Sequence, residues 1–185
     1  MRLREARVED APAMGRLMVT TWLAAHRSHI PPGAWEKRRA EWTPEVSAAG
    51  WERHLRARDA SSGQSRDCYL VAEDGDGMII AVAAGAASGS DPTGAVGEVG
   101  SLYVHPDQQN RGIGRRLVQQ LAACLAGKGI RSLHIAVLTA NLDARRFYEA
   151  LGGQPIGERL FDEDGVLLPE RIYAWPDITR LLDPP

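Results

Sequence analysis

The stretch EVGSLYVHPDQQNRGIGRR, from Glu98 to Arg116, decides how the rest of the chain is read. Val99, Leu102, Tyr103 and Val104 are β-branched, apolar or aromatic, which favours a strand. Pro106 lacks a backbone donor and stops the ladder, and Asp107 to Asn110 supply turn chemistry. From Ile113 the period changes: Ile113, Leu117, Leu121 and Cys124 with Leu125 recur at helical spacing. Gly112 and Gly114 stand at the junction. The first N–H groups of a helix have no partner inside it and sit at its positive end. A strand, a glycine-bearing turn and a helix N-terminus together make a cradle for a phosphate-bearing ligand.

Working outward, the flanking segments give a mixed α/β order. Arg2 to Arg7 alternates like a first strand, and Glu9 and Asp10 place acid before a helix that tolerates Pro12 and runs to His26. Pro31, Pro32 and Gly33 break it. Ala34 to Asp59 reads as two short helices or one broken at Thr43 and Pro44. Cys68 to Glu73 and Met78 to Ser88 form a hairpin across the Asp74 to Gly77 turn, and the alanines of the second strand leave room for close packing. Ser90 to Gly94 is a turn. Gly127 and Gly129 cap the central helix, Ser132 to Leu138 is an apolar strand with both faces buried, and Asn141 opens a helix that Gly152 ends. A last hairpin joins Gln154–Phe161 to Val166–Trp175. The helix from Ile113 to Ala126 bridges two strands as a crossover, so those two are parallel. The expectation is one domain over residues 1–185, with 177–185 a short tail.

Composition narrows the function classes. Hydrophobic residues make up 44% and charged residues 25%, an ordinary balance for a globular chain. A net charge of −2 offers no basic field for nucleic acid. The longest apolar run, Met78 to Ala87, is too short and glycine-interrupted to span a membrane, so a cytoplasmic location is expected. Cys68 and Cys124 lie far apart without metal-ligand spacing and read as buried free thiols. No metal is expected.

Three phosphate-binding readings compete for the glycine pair. The dinucleotide fingerprint needs a third glycine where Leu117 stands and a tight turn, yet seven residues separate Val104 from Gly112. The triphosphate loop needs Gly-Lys-Ser/Thr, which is absent. The third comes from a resemblance. Leu102-Tyr-Val-His-Pro106, then Gln109-x-x-Gly112-x-Gly114, then Asn141-x-x-Ala144-x-x-Phe147-Tyr148-x-x-x-Gly152 resemble the GNAT superfamily of acyl-coenzyme-A-dependent N-acetyltransferases, and the element order matches from Arg2 to Trp175. The resemblance implies a strongly twisted sheet whose central parallel pair splays to admit the cofactor. It also implies transfer of an acetyl group from acetyl-coenzyme A to a primary amine of a small molecule or peptide. Backbone N–H groups from Gln109 through Asn110, Arg111, Gly112, Ile113 and Gly114 to Arg115 would hold the pyrophosphate, with Arg111, Arg115 and Arg116 adding charge. The segment Leu102, Tyr103 and Val104 would align the pantetheine arm, Tyr103 reading also as packing, with Asn141 helping or merely capping its helix.

The chemistry sets two further demands. An alkyl ammonium with a pKa of about 10.4 is protonated at pH 7, and freeing it costs roughly 4–5 kcal/mol. A base is therefore needed. Glu98 is the candidate. Period-2 counting puts it on one face with Gly100, Leu102 and Val104, but a bulge at Gly100 and Ser101 would reverse it. Glu73, His26 and His29 are alternatives. The leaving thiolate needs a proton, and Tyr148 matches the tyrosine of the resembled family, with Phe147 beside it filling the core.

For the acceptor, the tryptophans at 22, 35, 42 and 51 either line a pocket or fill amphipathic helices. The acidic turn Asp162-Glu163-Asp164 either attracts a polyamine or is a solvated hairpin tip. A non-catalytic acyl-coenzyme-A sensor or scaffold of the same fold, and a homodimer built on the tryptophan-bearing helices, stay open.

Overall fold

The structure, a computed structural model, describes residues 1–89, 91 and 93–182. In chain order the elements are β1 (Arg2–Glu5), α1 (Ala11–His26), α2 (Pro32–Glu41), α3 (Pro44–Ala60), β2 (Cys68–Glu73), β3 (Ile79–Ala87), β4 (Val96–Val104), α4 (Ile113–Gly127), β5 (Ser132–Leu138), α5 (Leu142–Ala150), β6 (Gln154–Glu163) and β7 (Val166–Trp175). Prolines sit in the first turn of α1, α2 and α3, where a missing N–H leaves nothing unsatisfied. The doubtful helical region is thus two helices, and the Thr43 hydroxyl caps the second by accepting from the Val46 N–H at 3.3 Å. The expected turn at residues 90–94 lies partly outside the described residues.

The described residues build a seven-stranded sheet in the order β1-β2-β3-β4-β5-β7-β6. Only β4 and β5 run parallel, and they pair only from Val96–Ser132 to Glu98–His134. Both strands continue past that point unpaired with each other, so the sheet opens into a wedge. One face is covered by α4 and α5, with Leu70, Leu117, Leu121, Leu125, Leu133 and Tyr173 in its core. The other is covered by α1 and α3, with Met14, Leu17, Trp51, Leu55, Val71 and Val82. The slim strand β3 is where α4 comes closest, the Leu121 and Leu125 side chains lying against Gly85. Helix α4 ends where the N–H groups of Gly129 and Ile130 reach back to Ala126 and Leu125, and Ile130 folds into the core beside Leu125. Residues 178–181, in the expected tail, form a 3-10 turn that buries Ile178 and Leu181 in the α4-side core.

Two expectations are corrected. The cysteines are not free thiols: Cys68 and Cys124 form a disulfide that fastens α4 to β2. Because α4 lies across β2 and β3, residues 56 apart in sequence come within 6.3 Å between Cα atoms, and no spacing rule announces that. Strand β5 is not buried on both faces. Leu133, Ile135 and Val137 are buried, whereas His134 and Ala136 are half-exposed on the side that the wedge opens.

Candidate active site

The wedge between β4 and β5 is the throat of a cleft of about 880 Å³ that runs from the start of α4 to the space beneath α1 and the β6–β7 hairpin. Its cofactor-like end is made of backbone. The His105 ring accepts the Asp107 N–H at 3.3 Å, and the Gln109 side-chain amide donates to the Val104 carbonyl at 3.0 Å. These bonds fold the loop back on the strand. Asn110 and Gly112 then take left-handed conformations, φ 59° and 75°, and alternation of this kind gathers successive N–H groups around a concavity suited to an anion. The first helical bond is Arg116 N–H to the Gly112 carbonyl at 3.1 Å. The N–H groups of Asn110 to Arg115 make no hydrogen bond among the described residues.

The sequence expectation needs one adjustment here. The Gln109 N–H is already bonded to the Pro106 carbonyl at 3.2 Å, so Gln109 shapes the loop and the free donors begin at Asn110. The two glycines also differ in purpose. A Cβ at Gly112 would meet nothing within 4 Å, and it is the positive φ that selects glycine. A Cβ at Gly114 would lie 3.2 Å from the Phe147 ring, so Gly114 lets the first turn of α4 pack on α5. Among the arginines, Arg115 lines the cleft, while Arg111 and Arg116 are exposed and do not.

In the throat, Leu102, Tyr103, Val104, Ile113, Asn141 and Tyr148 all line the cleft. The Asn141 side-chain oxygen accepts the Ala144 N–H at 3.1 Å, so it does cap α5, and its amide nitrogen stays free toward the cleft. Leu102 and Val104 face the α4 side and Tyr103 the α1 side. Tyr148 is buried, 6% exposed, edge-on to Trp175 and tilted against Tyr173. Phe147 is the more exposed of the two α5 aromatics, the reverse of the division read from the sequence. Burial holds the Tyr148 hydroxyl well above the usual phenol range, and the nearby Tyr103 adds to this. Burial likewise pushes Tyr103 up to about 12. Both phenols therefore keep their protons at neutral pH. The Tyr148 hydroxyl has no hydrogen-bond partner among the described residues.

The bulge is real. Ala84 pairs with Ser101 and Gly85 with Val99, leaving Gly100 as the extra residue. Val99 therefore shares the α4-side core with Leu102 and Val104, and Glu98 turns to the opposite face. There Glu98 lies 3.6 Å from His134 Nε2 and 3.6 Å from Arg159, whose Nε donates to Glu170 at 2.7 Å. His134, Arg159 and Glu170 escaped the sequence reading. The available signal was Glu170 alternating with Leu168 on the inward face of β7, a charge where the pattern calls for an apolar side chain.

Of the other base candidates, Glu73 is held by Arg4 at the β1 edge and His29 does not line the cleft. His26 does. Its Nδ1 lies 2.9 Å from the Trp22 carbonyl, which can only accept, so Nδ1 carries the proton and Nε2 keeps its lone pair. Burial lowers its pKa, the Trp22 carbonyl opposing and His29 assisting, so the ring is neutral at pH 7.

Trp22, Trp42 and the acidic turn meet at Arg38. The Arg38 guanidinium sits 5.4 Å from Trp22 and 5.3 Å from Trp42 and binds Glu163, whose side chain is 1% exposed. Lys37 reaches Asp164 at 3.8 Å, and Asp162 accepts the Gly165 N–H at 2.6 Å. The turn thus docks α2 on the hairpin. Trp51 is core, and of the tryptophans at 22, 35, 42 and 51 only Trp22 lines the cleft. Among the described residues no His, Cys, Asp or Glu cluster could hold a metal ion, and no helix is long and apolar enough to cross a membrane.

Comparison with known proteins agrees with this architecture. Residues 32–153 match the acetyltransferase (GNAT) family. The uncharacterized N-acetyltransferase YuaI of Bacillus subtilis is 25% identical over 179 residues, covering 97% of this chain and 95% of that protein. The thialysine N-epsilon-acetyltransferase of Bos taurus is 37% identical over 57 residues, 31% of this chain and 34% of that protein. Among solved structures, yncA of Salmonella typhimurium with its cofactor acetyl-CoA superposes with a TM-score of 0.71 at 20% identity, covering 100% of this chain and 95% of that one. The paiA N-acetyltransferase of Thermoplasma acidophilum in complex with coenzyme A gives 0.66 at 18% identity over 92% and 96%.

Proposed function

The chain belongs to the GNAT acetyltransferase family, and from that premise we propose that it transfers an acetyl group from acetyl-coenzyme A to a primary amine. The observation that carries this is the wedge: β4 and β5 lose each other after Glu98, directly beside a row of unpartnered N–H groups at a helix N-terminus. The N–H groups of Asn110, Arg111, Gly112, Ile113, Gly114 and Arg115 are suited to a pyrophosphate, with the Arg115 charge beside them. The free edge of β4 from Leu102 to Val104 and the Asn141 amide are suited to the pantetheine arm. The co-substrate supplies the activated acyl thioester. On the far face of the sheet, Glu98 is placed to take a proton from the incoming ammonium, and the bulge at Gly100 is what turns it there. Tyr148 keeps its proton at a buried hydroxyl with no competing partner, which suits it to hydrogen-bond the departing sulfur.

A thiol-release assay with acetyl-coenzyme A and mixed amines tests the proposal. Wild type releases thiol only with an amine present, Glu98→Gln slows this, and Tyr148→Phe lowers turnover by about 10- to 100-fold with cofactor affinity nearly intact. Unchanged turnover in Tyr148→Phe removes that residue from the mechanism. Cofactor binding without release, whatever the amine, would leave a non-catalytic acyl-coenzyme-A module.

A further inference from the structure

The half of the cleft beneath α1 and the β6–β7 hairpin has a definite charge and shape. Two of its three carboxylates are held by arginines within hydrogen-bond distance. Glu163 is bound by Arg38 on both oxygens, and Glu170 takes the Arg159 Nε at 2.7 Å with its own side chain only 12% exposed. Glu98 is different: both of its contacts are long, 3.6 Å, and its side chain is 34% exposed. Among the described residues neither Glu98 oxygen accepts a hydrogen bond, whereas Glu170 accepts one on Oε2. Arg159 already faces Glu98 and Glu170 together, so one cation stands against two anions, while Arg38 and Glu163 cancel. His26 is neutral. The apolar lining of the same cleft includes Trp22, Leu138, Phe161 and Leu168.

On the reading above of this cleft as an acceptor site, we infer that the acceptor is a monocationic primary amine with an apolar or aromatic body and no carboxylate. A substrate carboxylate would enter a region already in anionic excess, where the lone arginine faces two carboxylates, and like charge there is disfavoured. A second ammonium would exceed the single negative charge left where Arg159 faces Glu98 and Glu170, and it would be desolvated without compensation. An apolar body instead covers Trp22, Phe161 and Leu168 and keeps water from the Glu98 side chain.

The test compares phenethylamine, phenylalanine and cadaverine by calorimetry on the coenzyme-A-loaded protein at pH 8. Phenethylamine shares its body with phenylalanine and its charge type with each end of cadaverine. The expected result is phenethylamine binding about tenfold or more tightly than either, matching one full ionic mismatch. Arg159→Gln adds a second arm: it raises the anionic excess and shifts preference toward cadaverine, a change that simple loosening of the pocket would not produce. Equal or tighter binding of phenylalanine or cadaverine to the wild type overturns the inference, as does no binding of any of the three. If the binding order holds but no acetyl transfer follows, the charge and shape assigned to the bound amine stand and the enzymatic reading falls.

Discussion

The two ends of the cleft are built from different material. At the start of α4 the cleft offers unpaired main-chain N–H donors from Asn110 to Arg115, positioned by left-handed Asn110 and Gly112 and a few loop hydrogen bonds. Beneath α1 the cleft is lined by side chains from α1, β4, β5, β6 and β7, with the charged ones among them paired with one another. The first end follows from a dozen consecutive residues. The second exists only once strands distant in sequence have found their register. A cradle of backbone donors recognises a phosphate whatever side chains surround it, whereas the acceptor end can be rewritten by single substitutions without touching the cradle.

The sharpest way to break the contrast is Gly112→Asp. Aspartate tolerates a left-handed conformation better than most residues, so the loop survives, but a carboxylate then faces the phosphate site. Coenzyme-A affinity should fall roughly 100-fold or more, about 2.7 kcal/mol, by calorimetry, with the circular dichroism spectrum unchanged; retained affinity would sink the cradle assignment. At the other end, Arg38→Ala leaves the buried Glu163 carboxylate without its partner and should cost about 2–3 kcal/mol in urea unfolding, with coenzyme-A affinity untouched. A parallel loss of cofactor affinity would show that the two ends are not separate. Gly114→Ala adds a methyl against the Phe147 ring and should cost about 1 kcal/mol, which Phe147→Leu restores. If the pair is not coupled, close packing is not why glycine stands there.

The smallest expected effect concerns pH. Burial holds the His26 pKa below the ordinary value of 6.5, so between its folded and unfolded values the unfolded chain binds more protons. His26 therefore withdraws stability as pH falls below about 6.5, and at higher pH its contribution is level. His26→Asn should flatten that part of the stability profile; an unaltered acid limb would mean the ring is not held neutral.

How much of this was legible in the sequence follows the same division. Gly112 and Gly114 next to a strand, with helical periodicity beyond, state the cradle because every determinant is local. The parallel pair followed from the crossover helix, and the bulge at Gly100 was visible as an alternative that period counting alone could not choose. The Cys68–Cys124 bond, the Arg38–Glu163 clasp and the placing of Arg159 against Glu98 were not legible, because each joins elements at least 56 residues apart whose approach is set by packing. Even within the cradle, the N–H of Gln109 looked free and is not, since a 3-10 turn over Pro106–Gln108 had no marker beyond proline.

Central to the proposal is that backbone amides rather than side chains would grip the cofactor. An amide-resolved NMR titration of the protein with coenzyme A tests that directly. The expected result is large shifts for the amides of Asn110 to Arg115, with the Gln109 amide moving less because it is bonded to Pro106. Saturable binding that leaves those amides in place, and instead moves only residues beneath α1, would contradict it.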